Sequence, residues 1–232
     1  MISIRPATER GHANHGWLDS YHSFSFSSYY DPAHMGYSNL RVINEDRIAP
    51  RGGFPTHGHE DMEIVTYVME GALEHKDSMG NGSVIRPGDV QYMSAGTGVR
   101  HSEYNPSADE PVHLLQIWLL PNQNGVEPRY AQQHFAAETR RNRFALLVSP
   151  DGRDGSIAAH QDGLLFGTLI DDGFALEYPL AADRRAYVHV ARGAAKVNGE
   201  LLRGGDAARI DAGDPVRIEG VDAAEVLLFD LP

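Results

Sequence analysis

Short apolar runs broken by Gly, Pro, Asn and Asp recur along the chain, at 39–43, 63–69, 72–76, 90–93 and 113–120 in its first half. They read as strands rather than helices. Between two of them, residues 77–82 (Asp-Ser-Met-Gly-Asn-Gly) have the composition of a hairpin turn, and residues 86–89 (Arg-Pro-Gly-Asp) that of a second turn. Strands this short at this spacing predict a sandwich or barrel. Helix is expected only at 134–140, after a proline-bounded loop over 121–128.

The second half repeats this order of elements. Residues 65–71 align with 187–193 and Gly88-Asp89 with Gly205-Asp206, which lays hairpin over hairpin and makes Asn198-Gly199 a tight turn. The expected fold class is therefore all-β, with two barrels in one chain of 232 residues, a comfortable length for two domains. We expect an N-terminal domain at 1–130, a linker at 131–142 and a C-terminal domain at 143–232.

Composition narrows the function classes. With 41% hydrophobic and 22% charged residues the chain reads as a soluble globular protein. A formal net charge of −12 disfavours direct binding to nucleic acid, and the one basic cluster, Arg140-Arg141-Asn-Arg143, reads as solvated linker. There is no cysteine, so disulfides, thiolate nucleophiles and thiolate metal sites are excluded, leaving imidazole and carboxylate as the strong ligands. No apolar run approaches a membrane span and the N-terminus lacks a leader pattern, so a cytoplasmic protein without membrane contact is expected.

The candidate chemistry lies in two pairs, His57-Gly-His59 and His101-Ser-Glu103. Residues two apart on a strand point to the same face, so two such pairs can converge three imidazoles and one carboxylate on one ion. Such a set suits a divalent first-row metal and leaves coordination positions open; Fe(II) is expected, with Mn, Co, Ni, Cu and Zn also compatible. Parity alone does not choose between Glu103 and Glu63, which lies four residues beyond His59. In the repeat alignment, positions 57, 59, 63, 101 and 103 fall on Pro179, Ala181, Arg185, Ile218 and Gly220, none of them a comfortable ligand. The C-terminal barrel is expected to hold no metal.

The residues around the first pair, 53–71, and the second, 87–105, resemble the two motifs of the cupin superfamily. Arg10-Gly-His-Ala-Asn-His-Gly-Trp-Leu-Asp19, His22-Ser-Phe-Ser-Phe26, Tyr29-Tyr-Asp-Pro32, Arg41-Val-Ile-Asn44 and His101-Ser-Glu103 narrow the likeness to the pirin family, in particular its bacterial members described as quercetin 2,3-dioxygenases. The resemblance is strongest over residues 1–130. It implies two cupin barrels, of the double-stranded β-helix or jelly-roll type, with His57, His59, His101 and Glu103 as metal ligands in the first. Glu63 then becomes a carboxylate that orients a ligand imidazole or makes a structural salt bridge.

The activity implied is oxidative cleavage of a flavonol or related phenol by O2, with Glu103 as the catalytic residue that takes the 3-hydroxyl proton. A cavity lining is expected from some of Phe54, Tyr67, Met79, Met93 and Trp118, with His75 and His113 able to point inward. The alternative is a non-enzymatic metal- or redox-sensing regulator that binds a protein partner. His12, Asn14, His15 and Trp17 read as a structural knot, and His134, His160 and His189 as surface or satisfied buried side chains.

Overall fold

A computed structural model describes residues 2–232. The strands predicted from the apolar runs are present as Leu40–Ile48, Glu63–Glu70, Leu73–Asp77, Asp89–Ser94 and Val112–Leu119. Turn chemistry sets their register. Asp77 Oδ1 accepts the backbone N–H groups of Met79 and Asn81, each at 2.9 Å, and so closes the hairpin between Leu73–Asp77 and Gly82–Ile85. At Asn198-Gly199 both residues have positive φ, 49° and 91°, the backbone that a two-residue hairpin loop requires.

The first half folds into a seven-stranded and a four-stranded sheet. In the larger sheet the order is Arg129–His134, Asp89–Ser94, Glu63–Glu70, Val112–Leu119, Leu40–Ile48, Leu18–His22 and Gly11–Asn14. The smaller runs Gly53–His59, Val99–Tyr104, Leu73–Asp77, Gly82–Ile85. The described strands of the second half all join one nine-stranded sheet around Arg185–Val197 and Val216–Leu231.

One hydrophobic cluster joins the halves. Ile43, Val65, Tyr67, Leu115 and Ile117 from the first pack with Leu147, Tyr187, Leu227 and Phe229 from the second. Each such side chain, fully buried, contributes about 2 kcal/mol. Polar groups cross the same seam. Arg140 and Glu225 meet the hydroxyl of Tyr67, while within the first half Glu45 holds Arg10 at 2.8 Å and His113 at 2.9 Å.

Two boundaries differ from the expected domains. Residues Ile2–Arg5 form an edge strand of the second half's sheet, paired with Ala207–Ile210. Residues 131–134, expected in the linker, continue the strand Arg129–His134 against Asp89–Ser94, so the helix shrinks to Ala137–Arg140. The alternation of Tyr130, Gln132 and His134 is too polar to stand out as a strand; its pairing with a buried neighbour makes it one.

Hydrocarbon fills the second barrel. Ile218, the counterpart of His101, sits in a buried cluster with Val188, Val190 and Leu228, while Pro179, Ala181 and Arg185 are exposed.

Candidate metal centre

The strand Gly53–His59 carries the first histidine pair and Val99–Tyr104 the second, antiparallel, with His101 opposite His57 and Val99 opposite His59. Between His101 and Glu103 the register slips, because Glu103 faces Phe54. The extra residue falls at Pro55-Thr56. A proline has no N–H to give the ladder, so a bulge there loses little. His57 Nδ1 donates to the carbonyl of Pro55 at 2.8 Å, which turns its Nε2 towards the cluster.

Ring nitrogens of His57, His59 and His101 all lie within 4.8 Å of one another. His101 Nε2 stands 3.1 Å from His57 Nε2. Behind His101, Gln91 donates to His75 Nδ1 at 3.1 Å and His75 Nε2 donates to Asp77 at 3.2 Å, so His75 Nδ1 is an acceptor facing His101 Nδ1 at 3.4 Å. With both Nδ1 atoms engaged in this way, two Nε2 lone pairs point at each other. Burial, then the charge of His57, pushes His59 down to about 4; burial, then His57 and His59, pushes His101 down to about 3. Facing lone pairs on rings that resist protonation, oriented by outer hydrogen bonds, suit the binding of a divalent metal.

Glu103 stands apart from that trio. Its carboxylate comes within 4.8 Å of ring nitrogens of His101 and His75, a second grouping that shares His101 with the first. Gln116 Nε2 donates to both of its oxygens, at 3.1 and 3.0 Å, and Thr66 fixes the Gln116 carbonyl at 3.0 Å. Burial lifts the Glu103 carboxyl to about 7 against the opposing Gln116 bonds. Gln116 and Thr66 belong to a polar row that crosses five neighbouring strands in register: His22, Asn44, Gln116, Thr66, Gln91. This row supports Glu103 at one point and His75 at another.

A cavity of about 560 Å³ opens onto His57, His59, His101 and Glu103. Its apolar wall comes from Trp17, Leu18, Phe26, Phe54, Ile64 and Trp118. Of the expected lining only Phe54 and Trp118 are present. Tyr67 and Met93 lie in packed clusters, Met79 is exposed in a turn, and His113 is bound to the buried Glu45 at 2.9 Å. The N-terminal segment is the part that the sequence concealed. His12 bonds Asp19 at 2.6 Å and stacks on Tyr21, as a structural knot should, but His15 and Trp17 close one side of the cavity.

Two further expectations are corrected. Among the described residues Glu63 neither orients an imidazole nor makes a salt bridge; it accepts hydrogen bonds from Tyr92, from Ser94 at 2.6 Å and from the backbone N–H of His160 at 3.0 Å. The strand breaks between His59 and Glu63, where Asp61 has φ 46°, so the parity that would have placed both on one face is lost. His189 is fully buried, yet neither ring nitrogen meets a partner among the described residues, and burial pushes it down to about 4.

Comparison with known proteins agrees with this architecture. A family model described as Pirin matches residues 3–119, and one described as Quercetinase C-terminal cupin domain matches residues 146–231. The chain belongs to the pirin family. It is 50% identical over 232 residues to the quercetin 2,3-dioxygenase of Escherichia coli (strain K12), covering 100% of this chain and 99% of that one. It is 41% identical over 231 residues to a pirin-like protein of Caulobacter vibrioides, covering 99% of each. Among solved structures, bacterial pirin YhhW from Escherichia coli in complex with nickel(II) matches this pirin with a TM-score of 0.95 at 50% identity, over 100% of this chain and 99% of that one.

Proposed function

We propose that this pirin is a metal-dependent dioxygenase that opens flavonols with O2, using His57, His59, His101 and Glu103 around the ion. The observation that carries the reading is the convergence of three imidazoles on the wall of a largely apolar cavity of about 560 Å³, within the size range of small-molecule sites. The 50% identity to a quercetin 2,3-dioxygenase and the nickel(II) complex of a relative support it.

A divalent ion held there supplies Lewis acidity and, as redox-active Fe(II), one-electron chemistry towards dioxygen. The remaining work falls to side chains. Trp17, Phe54 and Trp118 give flat apolar faces for the fused rings and keep water from them. Glu103 is the buried carboxylate that accepts the 3-hydroxyl proton, with its oxygens held in place by Gln116. His75 and Asp77 hold the His101 ring in its orientation.

Elemental analysis of protein purified without chelator or nickel resin, followed by quercetin bleaching in air and under argon, tests the proposal. One equivalent of metal and O2-dependent bleaching are expected. His101→Ala removes a shared donor of both groupings and is expected to weaken metal binding at least a hundredfold, measured by competition with a chromophoric chelator. Wild-type protein carrying Fe(II) that leaves quercetin intact in air would overturn the activity.

A further inference from the structure

The polar lining of the cavity extends beyond Gln116 to Asn44, His22, Asp46 and Ser20. Ser20 on Leu18–His22 and Asp46 on Leu40–Ile48 face each other in register, and both line the cavity with His22 and Asn44. Ser20 Oγ donates to Asp46 Oδ1 at 2.5 Å, and His22 Nδ1 donates to Asn44 at 2.9 Å. Asp46 is 3% exposed. Ser20 is its one hydrogen-bond donor, and no cation acts on it among the described residues. Its neighbours do not explain it: the strand partner on the other side is Leu114, and Ile48 follows on the same face.

A buried carboxyl with one hydrogen bond and no cation costs stability, and such groups concentrate where a ligand completes them. The missing partner must donate a hydrogen bond and carry no negative charge. A phenolic hydroxyl does both. Asp46 sits on the strand next to that of Gln116, which holds Glu103, and its charge adds to burial in raising the Glu103 carboxyl, while Ser20 lies one strand further out. Trp118 lies on the other side of Gln116 from Asp46, and it and Phe54 give the cavity apolar faces.

We propose that Asp46 and Ser20 form a hydroxyl-recognition site for the pendant ring of the polyphenol, selecting substrates that carry a hydroxyl on that ring. This rests on the flavonol reading above and adds the feature of the substrate that the cavity reads. With His22 Nδ1 and Asn44 Oδ1 bonded to each other, Asn44 Nδ2 is the neighbouring donor and His22 Nε2 the neighbouring acceptor, so a ring with two adjacent hydroxyls satisfies more of the site than a ring with one.

The test compares quercetin, which has two pendant-ring hydroxyls, with galangin, which has none, using tryptophan-fluorescence titration of metal-stripped protein and steady-state kinetics of the iron-loaded enzyme. Wild type is expected to bind quercetin about tenfold more tightly than galangin, the scale of one hydrogen bond to a charged group. Asp46→Asn is expected to bring that ratio near one, and Ser20→Ala to change it by less because the carboxyl remains. The ratio is internal to each protein, so a general loss of folded protein does not mimic the result. A wild-type ratio near one, or an Asp46→Asn ratio equal to wild type, overturns the hydroxyl site while O2-dependent bleaching still stands. Wild type that neither binds nor bleaches either flavonol removes both readings together.

Discussion

Asp46 is held at the edge of ionisation by its surroundings. Burial pushes its carboxyl up to about 7, against the bond from Ser20, with Glu45 adding repulsion. A carboxyl whose folded pKa is raised contributes stability that is fully present below its unfolded value and is lost as pH rises through the folded one. Wild type should therefore lose stability relative to Asp46→Asn between about pH 4 and pH 7. At pH 8 the variant should melt on the order of 5 °C above wild type, and at pH 4 the two should nearly coincide, in thermal scans of metal-free protein. A gap that does not change with pH would show that Asp46 ionises freely.

At this scale the sequence was legible where chemistry repeats with the strand period. His57, His59 and His101 fall together because alternation aims them at one face. Asp46 was not legible, since one acidic residue in Asn44-Glu45-Asp46-Arg47 looks like a charged surface until the register shows which of them face inward. Glu63 misled for the complementary reason. A single residue of positive φ between it and His59 was enough to turn it to the other side of the sheet.

Among the elements, the strand Gly53–His59 matters most, and it depends on close backbone approach. A Cβ at Gly53 would stand 2.3 Å from the carbonyl oxygen of Glu103 and 2.6 Å from Tyr104 Cα, both backbone atoms. Gly53→Ala should push this strand away from Val99–Tyr104, lowering the Tm by several degrees and weakening cobalt(II) binding at least tenfold, read from the visible absorption of the bound ion. Gly58→Ala on the same strand meets nothing closer than 3.8 Å and serves as the control. The apolar runs and turn residues made most strands readable, but not the polar strand Arg129–His134 or the wall built by Trp17, because those gain their role only from what packs against them.

Across the whole molecule the two halves share a core. The cluster through Tyr67, Leu115, Tyr187 and Phe229 and the clamp of Arg140 and Glu225 on Tyr67 leave neither half with a closed surface of its own. A single calorimetric transition is expected for the metal-free chain, with van't Hoff and calorimetric enthalpies in agreement. Residues 1–130 expressed alone should be insoluble or bind hydrophobic dyes, because that cluster would be exposed. Two separate transitions would show that the seam carries little of the stability. The internal repeat revealed two barrels but not their mutual dependence, which rests on buried faces that no alignment of one half on the other displays.

The pairing of Ile2–Arg5 with Ala207–Ile210 has a consequence for synthesis. Ile2–Arg5 is translated some two hundred residues before the segment it pairs with. A nascent chain stalled between the two segments carries an unpaired β-edge ready to zip onto another chain, so this protein is most adhesive while that partner strand is still missing.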